Sequence, residues 1–252
     1  MVVAHGETDI GRRRKVNEDT IFAARGLYLV CDGMGGHQAG EVASRLSVEA
    51  IANFIERSEA DRELTWPFGF DPRGSFGVNR LRTAVKLANR TVFEHASSTE
   101  AYTGMGTTVA AVLIGAGEPR LTCASVGDSR VYRLRAGALA QLTRDDSWAN
   151  LLAGEGVREG AGAGGGLKNV LTKALGAREE VELDVVDHPL TDGDTVLLCS
   201  DGLTNMVPDP RIAEIVTGHA ADVAAACRAL VTEANDRGGR DNVSVILVQY
   251  RH

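Results

Sequence analysis

The sequence is poor in cysteine, histidine and aromatic residues, and the few that it has form no recognisable site. Its 252 residues include 4 Cys, 6 His and 5% aromatic residues. No two cysteines have the C-x-x-C spacing of a zinc or redox site, and the histidines show no H-E-x-x-H spacing. We therefore interpret the cysteines as small buried hydrophobic residues in a reducing compartment, which excludes a disulfide framework and a zinc centre.

Long apolar runs and an excess of positive charge are also missing. No apolar stretch approaches the ~20 residues that a membrane-spanning helix needs, and residues 1–15 lack the apolar core of a signal peptide. The formal net charge of -7 argues against a nucleic-acid-binding protein, because such proteins carry a basic face. These absences predict a cytoplasmic protein with no membrane segment and no nucleic-acid partner.

What the sequence does contain is enough apolar material for a large core. Hydrophobic residues make up 44% of the chain, and no repeat or linker interrupts it, so we expect one domain over residues 1–252. Helical periodicity follows Gly40 and recurs over 78–92 and 223–234. Residues 57–77 read as a loop whose aromatic residues cap the core, and the glycine-rich stretch 154–166 predicts a mobile flap within about 147–170. Strands are predicted at 27–31, 107–114, 121–126, 130–135, 181–186, 195–199 and 243–250.

Four aspartates lie at the ends of predicted strands. Asp32 and Asp201 each follow an apolar strand and precede a glycine, Asp128 follows the strand 121–126, and Asp241 precedes the last strand. Carboxylates gathered at one rim of a sheet repel one another unless cations neutralise them. All-oxygen ligands suit Mg²⁺ or Mn²⁺ rather than zinc. Spacing alone leaves open the alternative that some of these aspartates are ordinary turn residues.

A centre of this kind favours hydrolysis by an activated water. Two divalent ions that share a bridging carboxylate lower the pKa of a bound water, which makes hydroxide available near neutral pH. An anionic substrate then needs a planar, bidentate cation, and Arg14, five residues before Asp19, is the candidate. No G-x-S-x-G or C-x5-R motif supports a covalent nucleophile. The pattern indicates attack of water on a phosphate monoester.

Short motifs run in order along nearly the whole chain. They are R-x-x-N-E-D at 14–19, V-x-D-G-M-G-G-x-x-x-G-E-x-A-S at 30–44, G-M-G-T-T at 104–108, G-D-S-R at 127–130, L-T-x-D at 142–145, N-V-L-T-x-A-L-G at 169–176, L-L-C-S-D-G-L at 197–203 and D-N-x-S at 241–244. Together they resemble the metal-dependent PP2C (PPM) family of serine/threonine protein phosphatases, in its bacterial form.

The resemblance implies an α+β fold, a four-layer α/β/β/α sandwich of two mainly antiparallel sheets flanked by helices. It also implies a dinuclear Mn²⁺ or Mg²⁺ centre in the cleft between the sheets, and a third, weaker ion beside it. By position, the implied site residues are Asp32 as the bridge between both ions, the Gly33 carbonyl on one ion, Asp201 and Asp241 on the other, Glu18 and Asp19 through metal-bound waters, Asp128 at the third ion, and Arg14 on the phosphate.

Two positions depart from the family pattern. Met34 stands where many eukaryotic members have a histidine, which excludes a histidine general acid there, and Asp146 replaces the histidine common after L-T-x-D. The flap at 154–166 is shorter and richer in glycine than is usual, so a substrate preference cannot be carried over from relatives.

The expected function is that of a cytoplasmic, monomeric protein serine/threonine phosphatase that acts on phosphorylated proteins and opposes a bacterial serine/threonine kinase. Two alternatives remain open. The same site could serve small phosphoesters, or the chain could be a regulatory pseudophosphatase that binds phosphoproteins without turnover. A pseudophosphatase is expected to lack at least one metal ligand, and none is missing from the motifs.

Overall fold

A computed structural model describes residues 1–36, 39–61, 64–115, 117–148 and 171–251. The strands within these ranges belong to two antiparallel sheets. They are β1 (Val2–Asp9), β2 (Asp19–Ala24), β3 (Leu27–Met34), β4 (Gly106–Thr107), β5 (Val109–Leu113), β6 (Arg120–Val126), β7 (Arg130–Arg135), β8 (Ala138–Gln141), β9 (Asp184–Pro189), β10 (Thr195–Cys199) and β11 (Val243–Tyr250).

Two long and three shorter α-helices accompany these strands in the described ranges. They are α1 (Ala39–Ala60), α2 (Phe76–Ser98), α3 (Asp201–Thr204), α4 (Asp209–Gly218) and α5 (Val223–Asp236). Helix α2 begins where the Ser75 hydroxyl accepts a hydrogen bond from the Val78 N–H, and α5 begins at Asp222, whose carboxylate caps two N–H groups. Such side-chain caps satisfy amide groups that the first helical turn leaves unpaired.

The sheets and helices form four layers. One sheet has the strand order β1-β11-β10-β7-β8, and the other has the order β2-β3-β5-β6-β9, with β4 paired to β3. One apolar cluster lies between the two sheets, a second lies between β3, β5 and helices α1 and α2, and a third lies between β7, β10, β11 and helices α4 and α5. The predicted α/β/β/α sandwich is therefore confirmed.

Strand β3 shows how the layers place a polar group in the cleft. Leu29 and Cys31 pack towards the helices, whereas Tyr28 and Val30 pack towards the opposite sheet. Both faces are buried, so the strand reads as a continuous apolar run rather than an alternating one. Because side chains alternate along a strand, Asp32 continues the series of Tyr28 and Val30 into the cleft between the sheets.

The predicted elements agree with the structure in the sheet interiors and disagree at the sheet edges. Strands predicted at 130–135, 195–199 and 243–250 have the bounds of β7, β10 and β11. The strand predicted at 107–114 is divided into β4 and β5, and the strand predicted at 181–186 was placed too early, because β9 begins at Asp184. The edge strands β1, β2 and β8 and the helices α3 and α4 were not predicted.

The loop predicted at 57–77 is shorter than expected, since α1 continues to Ala60 and α2 begins at Phe76. Trp66 packs edge-on against Phe54 of α1, with 5.8 Å between ring centroids, and so covers the core as predicted. Phe68 and Phe70 lie in the same loop but are 39% and 45% exposed.

Two further predictions concern the stretch 147–170 and the extent of the domain. The predicted flap at 147–170 lies outside the described residues except for Ser147 and Trp148. The extent of a single domain over 1–252 stays a prediction. None of the helices in the described ranges is long and apolar enough to cross a membrane.

Asp194 provides a test of how the sheet containing β7 and β10 is held. Its fully buried carboxylate accepts hydrogen bonds from Arg135 at 2.7 and 2.8 Å and from the Thr191 N–H at 2.9 Å. Burial by itself raises the pKa of Asp194, but the bonds from Arg135 and Thr191 outweigh it, so the pKa lies below its usual value.

We expect Asp194→Ala to lower the free energy of unfolding by about 1–2 kcal/mol at pH 7, since the Arg135 side chain is 36% exposed and its ion pair is screened. A carboxyl with a lowered pKa stabilises the fold above its unfolded pKa of about 4 and ceases to do so as the pH falls further. The difference from wild type should therefore shrink below about pH 4. Urea unfolding at pH 7 and pH 3, with the exposed Glu94→Ala as control, measures it; a constant difference would contradict this account.

Candidate active site

The predicted acidic residues come together from both sheets. Asp19 opens β2 and is paired in register with Asp32 of the neighbouring strand β3. Asp201 follows β10, and Asp241 precedes β11, which is the antiparallel neighbour of β10. In an antiparallel pair, the last residues of one strand lie beside the first residues of its neighbour. Two acids from each sheet therefore meet at one rim of the cleft.

Asp32 lies at the centre of this group. Burial raises its pKa well above the usual value, and the negative charges of Asp19, Asp201, Asp241 and Asp128 raise it further. Its backbone is held by the G-M-G-T-T segment, because the Asp32 N–H donates to the Thr108 hydroxyl at 3.0 Å and the Asp32 carbonyl accepts from the Thr108 N–H at 2.9 Å. The effect of the Asp128 charge on the pKa of Asp32 is consistent with the sequence prediction that both belong to one group.

Asp19 is the most deeply buried of the acids, at 8% exposure. Burial raises its pKa to about 6; hydrogen bonds from Ser244 and Ser200 oppose this shift, and the charges of Asp201 and Asp241 add to it. The Ser200 hydroxyl donates to one carboxylate oxygen of Asp19 at 2.9 Å. Ser200 belongs to the L-L-C-S-D-G-L motif, but sequence reasoning assigned it no role.

Asp128 lies in the turn between β6 and β7. Burial raises its pKa to about 7, with further contributions from the charges of Asp201 and Asp145. Two hydrogen bonds to Asp146 hold this turn in place. The Asp146 N–H donates to the Gly127 carbonyl at 2.8 Å, and the Asp146 carboxylate accepts from the Gly127 N–H at 3.2 Å. Asp146 therefore positions the turn that carries Asp128.

The next motif is tied to the same turn. The Arg130 guanidinium of β7 donates hydrogen bonds of 2.7 to 3.0 Å to both carboxylate oxygens of Asp145. The motifs G-D-S-R and L-T-x-D are thus joined by one bidentate ion pair, which gives their co-occurrence a structural reason.

Several carboxylate oxygens of the group fit a cation rather than a hydrogen-bond donor. Glu18 Oε1, Asp19 Oδ1 and Asp201 Oδ1 are buried and have no hydrogen-bond partner within the described part of the chain. Buried polar atoms in folded proteins nearly always have a partner, so three such oxygens in one place fit a cation-binding site. Burial also raises the pKa of both Glu18 and Asp201, which a bound divalent ion would reverse.

The arrangement is open rather than a closed shell of protein ligands. Among the described residues, no three His, Cys, Asp or Glu side chains form a preorganised metal-binding group. Mg²⁺-like ions keep several waters and use only one or two carboxylates directly, so an oxygen-rich, incompletely closed site suits them.

Glycines let the backbone segments of the site approach one another. A Cβ on Gly33 would overlap the Gly40 carbonyl, and a Cβ on Gly40 would overlap the Glu18 carboxylate. The Gly33 N–H also donates to the Glu18 carbonyl at 3.1 Å. A glycine directly after Asp32 is therefore required, because β3, the start of α1 and the Glu18 segment pack closely together there.

Arg14 stands beside the acids with part of its side chain in solvent. It donates to Asp241 at 2.7 Å and lies 3.7 Å from Glu18, while 47% of its side chain is exposed. The hydrogen bond to Asp241 is the main cause that raises its pKa. The structure thus places Arg14 at the rim of the acidic group, and its role on the phosphate stays a prediction.

Asn242 is a positioning residue that sequence reasoning missed. Its side-chain amide donates to the Ile10 and Val16 carbonyls, both at 3.0 Å, and its side-chain oxygen accepts from the Glu18 N–H at 2.9 Å. The side chain is 3% exposed and closes the loop that carries Arg14. The D-N-x-S motif contained the signal, but only its aspartate was interpreted.

Known proteins resemble this chain in sequence and in fold. The profile of protein phosphatase 2C matches residues 11–239. The serine/threonine phosphatase Stp of Listeria monocytogenes is 36% identical over 262 residues, which span 98% of this chain and 95% of that protein. The chain belongs to the protein phosphatase 2C family.

Solved structures of the PP2C family superpose over the whole chain. The Mycobacterium tuberculosis serine/threonine phosphatase PstP/Ppp has 33% identity and a TM-score of 0.84, covering 100% of this chain and 99% of that one. The catalytic domain of PstP in complex with two manganese ions has 33% identity and a TM-score of 0.83, with the same coverage. The family and the enzyme class inferred from the motifs are confirmed, whereas the roles of individual residues stay predictions.

The two glycines of one motif offer a matched test of the packing argument. Gly33 has no room for a Cβ, whereas a Cβ on Gly36 would meet nothing within 4 Å. We expect Gly33→Ala to lower the free energy of unfolding by roughly 2–3 kcal/mol because it forces backbone segments apart, and Gly36→Ala to change it by less than about 0.5 kcal/mol. Equal unfolding midpoints for both variants in urea would show that the close approach is not required.

Proposed function

We propose that this PP2C-family chain hydrolyses phosphoserine and phosphothreonine in proteins, at a centre of Mn²⁺ or Mg²⁺ ions held by the clustered carboxylates. The observation that carries the proposal is the group of three buried, partnerless carboxylate oxygens on Glu18, Asp19 and Asp201 beside Arg14. A cation-binding group next to a half-exposed arginine fits a phosphate ester better than a neutral substrate.

The acids of the group would hold two core ions and a third, weaker one. Bound divalent ions would supply Lewis-acid chemistry, which lowers the pKa of a water so that it can attack a phosphate ester near neutral pH. The PstP catalytic domain described above contains two manganese ions. The proposed ligands are Asp32 as the shared one, the Gly33 carbonyl, Asp201 and Asp241, with Glu18 and Asp19 acting through waters and Asp128 serving the third ion.

Arg14 would bind the phosphate. A guanidinium carries five N–H donors, and among the described residues the Arg14 guanidinium makes its close hydrogen bond to Asp241. That bond orients the planar guanidinium group, whose donors on the exposed side can bind two phosphate oxygens. Asn242 supports this by fixing both ends of the loop from which Arg14 extends.

The biological setting follows from the substrate class. We infer that the chain acts in the cytoplasm as a monomer, on phosphorylated proteins that include a serine/threonine kinase or its targets. The four cysteines are buried and unpaired, which suits a reducing compartment. The pseudophosphatase alternative has no support, because every predicted metal-ligand position carries its carboxylate.

Metal dependence is the first test of this proposal. Because all proposed ligands are oxygens, EDTA should abolish hydrolysis of a phosphothreonine peptide, and Mn²⁺ or Mg²⁺ should restore it. Asp32→Asn should lower kcat/KM by more than about a hundredfold, since it removes the shared ligand. The exposed Asp236→Asn serves as control. Full activity after verified removal of metal, or in a folded Asp32→Asn protein, would refute the metal-centre model.

The second test concerns the role of Arg14. Replacing it with lysine keeps the charge but removes the bidentate fork, so kcat/KM should fall roughly tenfold to a hundredfold, mainly through KM. Calorimetric titration with Mn²⁺ should remain close to wild type. Arg57→Lys, an exposed arginine in the last turn of α1, is the matched control. Unchanged kcat/KM in Arg14→Lys and Arg14→Ala would reduce Arg14 to a solvated surface residue.

A further inference from the structure

Two distant loops lie against each other beside the acidic group. The Arg12 N–H donates to the Gly239 carbonyl at 2.7 Å, and Gly11 lies so close that a Cβ there would overlap the Asp241 carbonyl. The Asn242 side chain bonds both ends of the first loop. The loops 10–16 and 237–241 therefore form one continuous surface at the rim of the cleft.

This surface is strongly basic in an acidic protein. The two loops carry six cationic residues, of which Arg14 pairs with Asp241 and Glu18, and Arg237 pairs with Glu233. Within the part of the chain that the structure describes, the other four form no ion pair. We call these four exposed residues the basic rim; they are Arg12, Arg13, Lys15 and Arg240.

The four cations of the basic rim lie on two adjoining loops. Several cations elsewhere on the surface are paired; Arg45, Arg120 and Arg211 each pair with a nearby glutamate. The protein has a net charge of -7, and the basic rim is a local concentration of positive charge on it. Ile10 and Val16, 38% and 40% exposed, flank the basic loop and add apolar surface for a bound chain.

We propose that the basic rim binds acidic residues that flank the phosphorylated residue of a substrate, so that the enzyme prefers phosphopeptides rich in Asp and Glu. This inference rests on the proposed function, in which Arg14 holds the phosphate. Arg13 and Lys15 are the chain neighbours of Arg14, and their Cα atoms lie about 3.8 Å from its Cα. Their long side chains can therefore reach the peptide residues next to a phosphate bound at Arg14. Charge complementarity of this kind sets specificity and association rate.

The test compares three phosphothreonine peptides of equal length, with Asp and Glu, with Asn and Gln, or with Lys around the phosphothreonine. For the Mn²⁺-loaded wild type, we expect kcat/KM for the acidic peptide to exceed that for the neutral one about tenfold, the product of two or three exposed pairs. The Lys peptide should be the poorest substrate. Raising the salt to about 1 M should remove most of the difference, because exposed charges are then screened within about 3 Å.

The variant Arg13→Gln/Lys15→Gln should reduce the ratio of acidic to neutral kcat/KM to about one to two. Arg57→Gln, which removes one exposed charge roughly 25 Å along α1 from Gly40, should keep the wild-type ratio. An unchanged ratio in the double variant would overturn the proposal. An equal loss on both peptides would also overturn it, because it would place the two residues in the phosphate site itself.

Binding of the same peptides with a fluorescent label, followed by anisotropy, separates the basic rim from the proposed function. Acidic preference in binding without any turnover would overturn the proposed hydrolysis and support the basic rim. Turnover of all three peptides at equal rates would overturn the basic rim and support the hydrolysis. Far-UV circular dichroism of each variant establishes that the exposed substitutions leave the fold intact.

Discussion

The structure depends on one unfavourable interaction, the gathering of like-charged carboxylates at one rim of the cleft between two sheets. Burial and mutual repulsion raise the pKa of Asp32, Asp19 and Asp128. Carboxylates in that position are stable only when cations, donors or protons offset their charge. Arg14 and Ser200 supply part of the offset, and the partnerless oxygens mark what a bound cation would supply.

The architecture around the rim serves to hold these acids in place against their repulsion. Glycines at 33 and 40 let three backbone segments meet, and the Asn242 amide ties the Arg14 loop to Glu18. On the other side, Asp146 and the Arg130–Asp145 ion pair fix the turn that carries Asp128. The rigid four-layer sandwich thus provides positions, and the loops between its strands provide the chemistry.

Which strands could be predicted from the sequence follows from where they lie in each sheet. The interior strands β3, β5, β10 and β11 are buried on both faces, so they appear as short apolar runs. The strands that were missed or misplaced are β1, β2, β8 and β9, and they are the edge strands of the two sheets. An edge strand is partly exposed and carries polar residues, so its pattern does not differ from that of a loop.

The sequence by itself determined the family, the fold class and the set of acidic residues, because close packing and metal binding require particular residue types in short motifs. Contacts between distant segments were decided only by the tertiary structure. Asn242 lies more than two hundred positions from the carbonyls of Ile10 and Val16, which it bonds. The basic rim likewise joins loops from opposite ends of the chain. No local sequence pattern predicts such pairings, because they form where the sheets bring the ends of separate strands together.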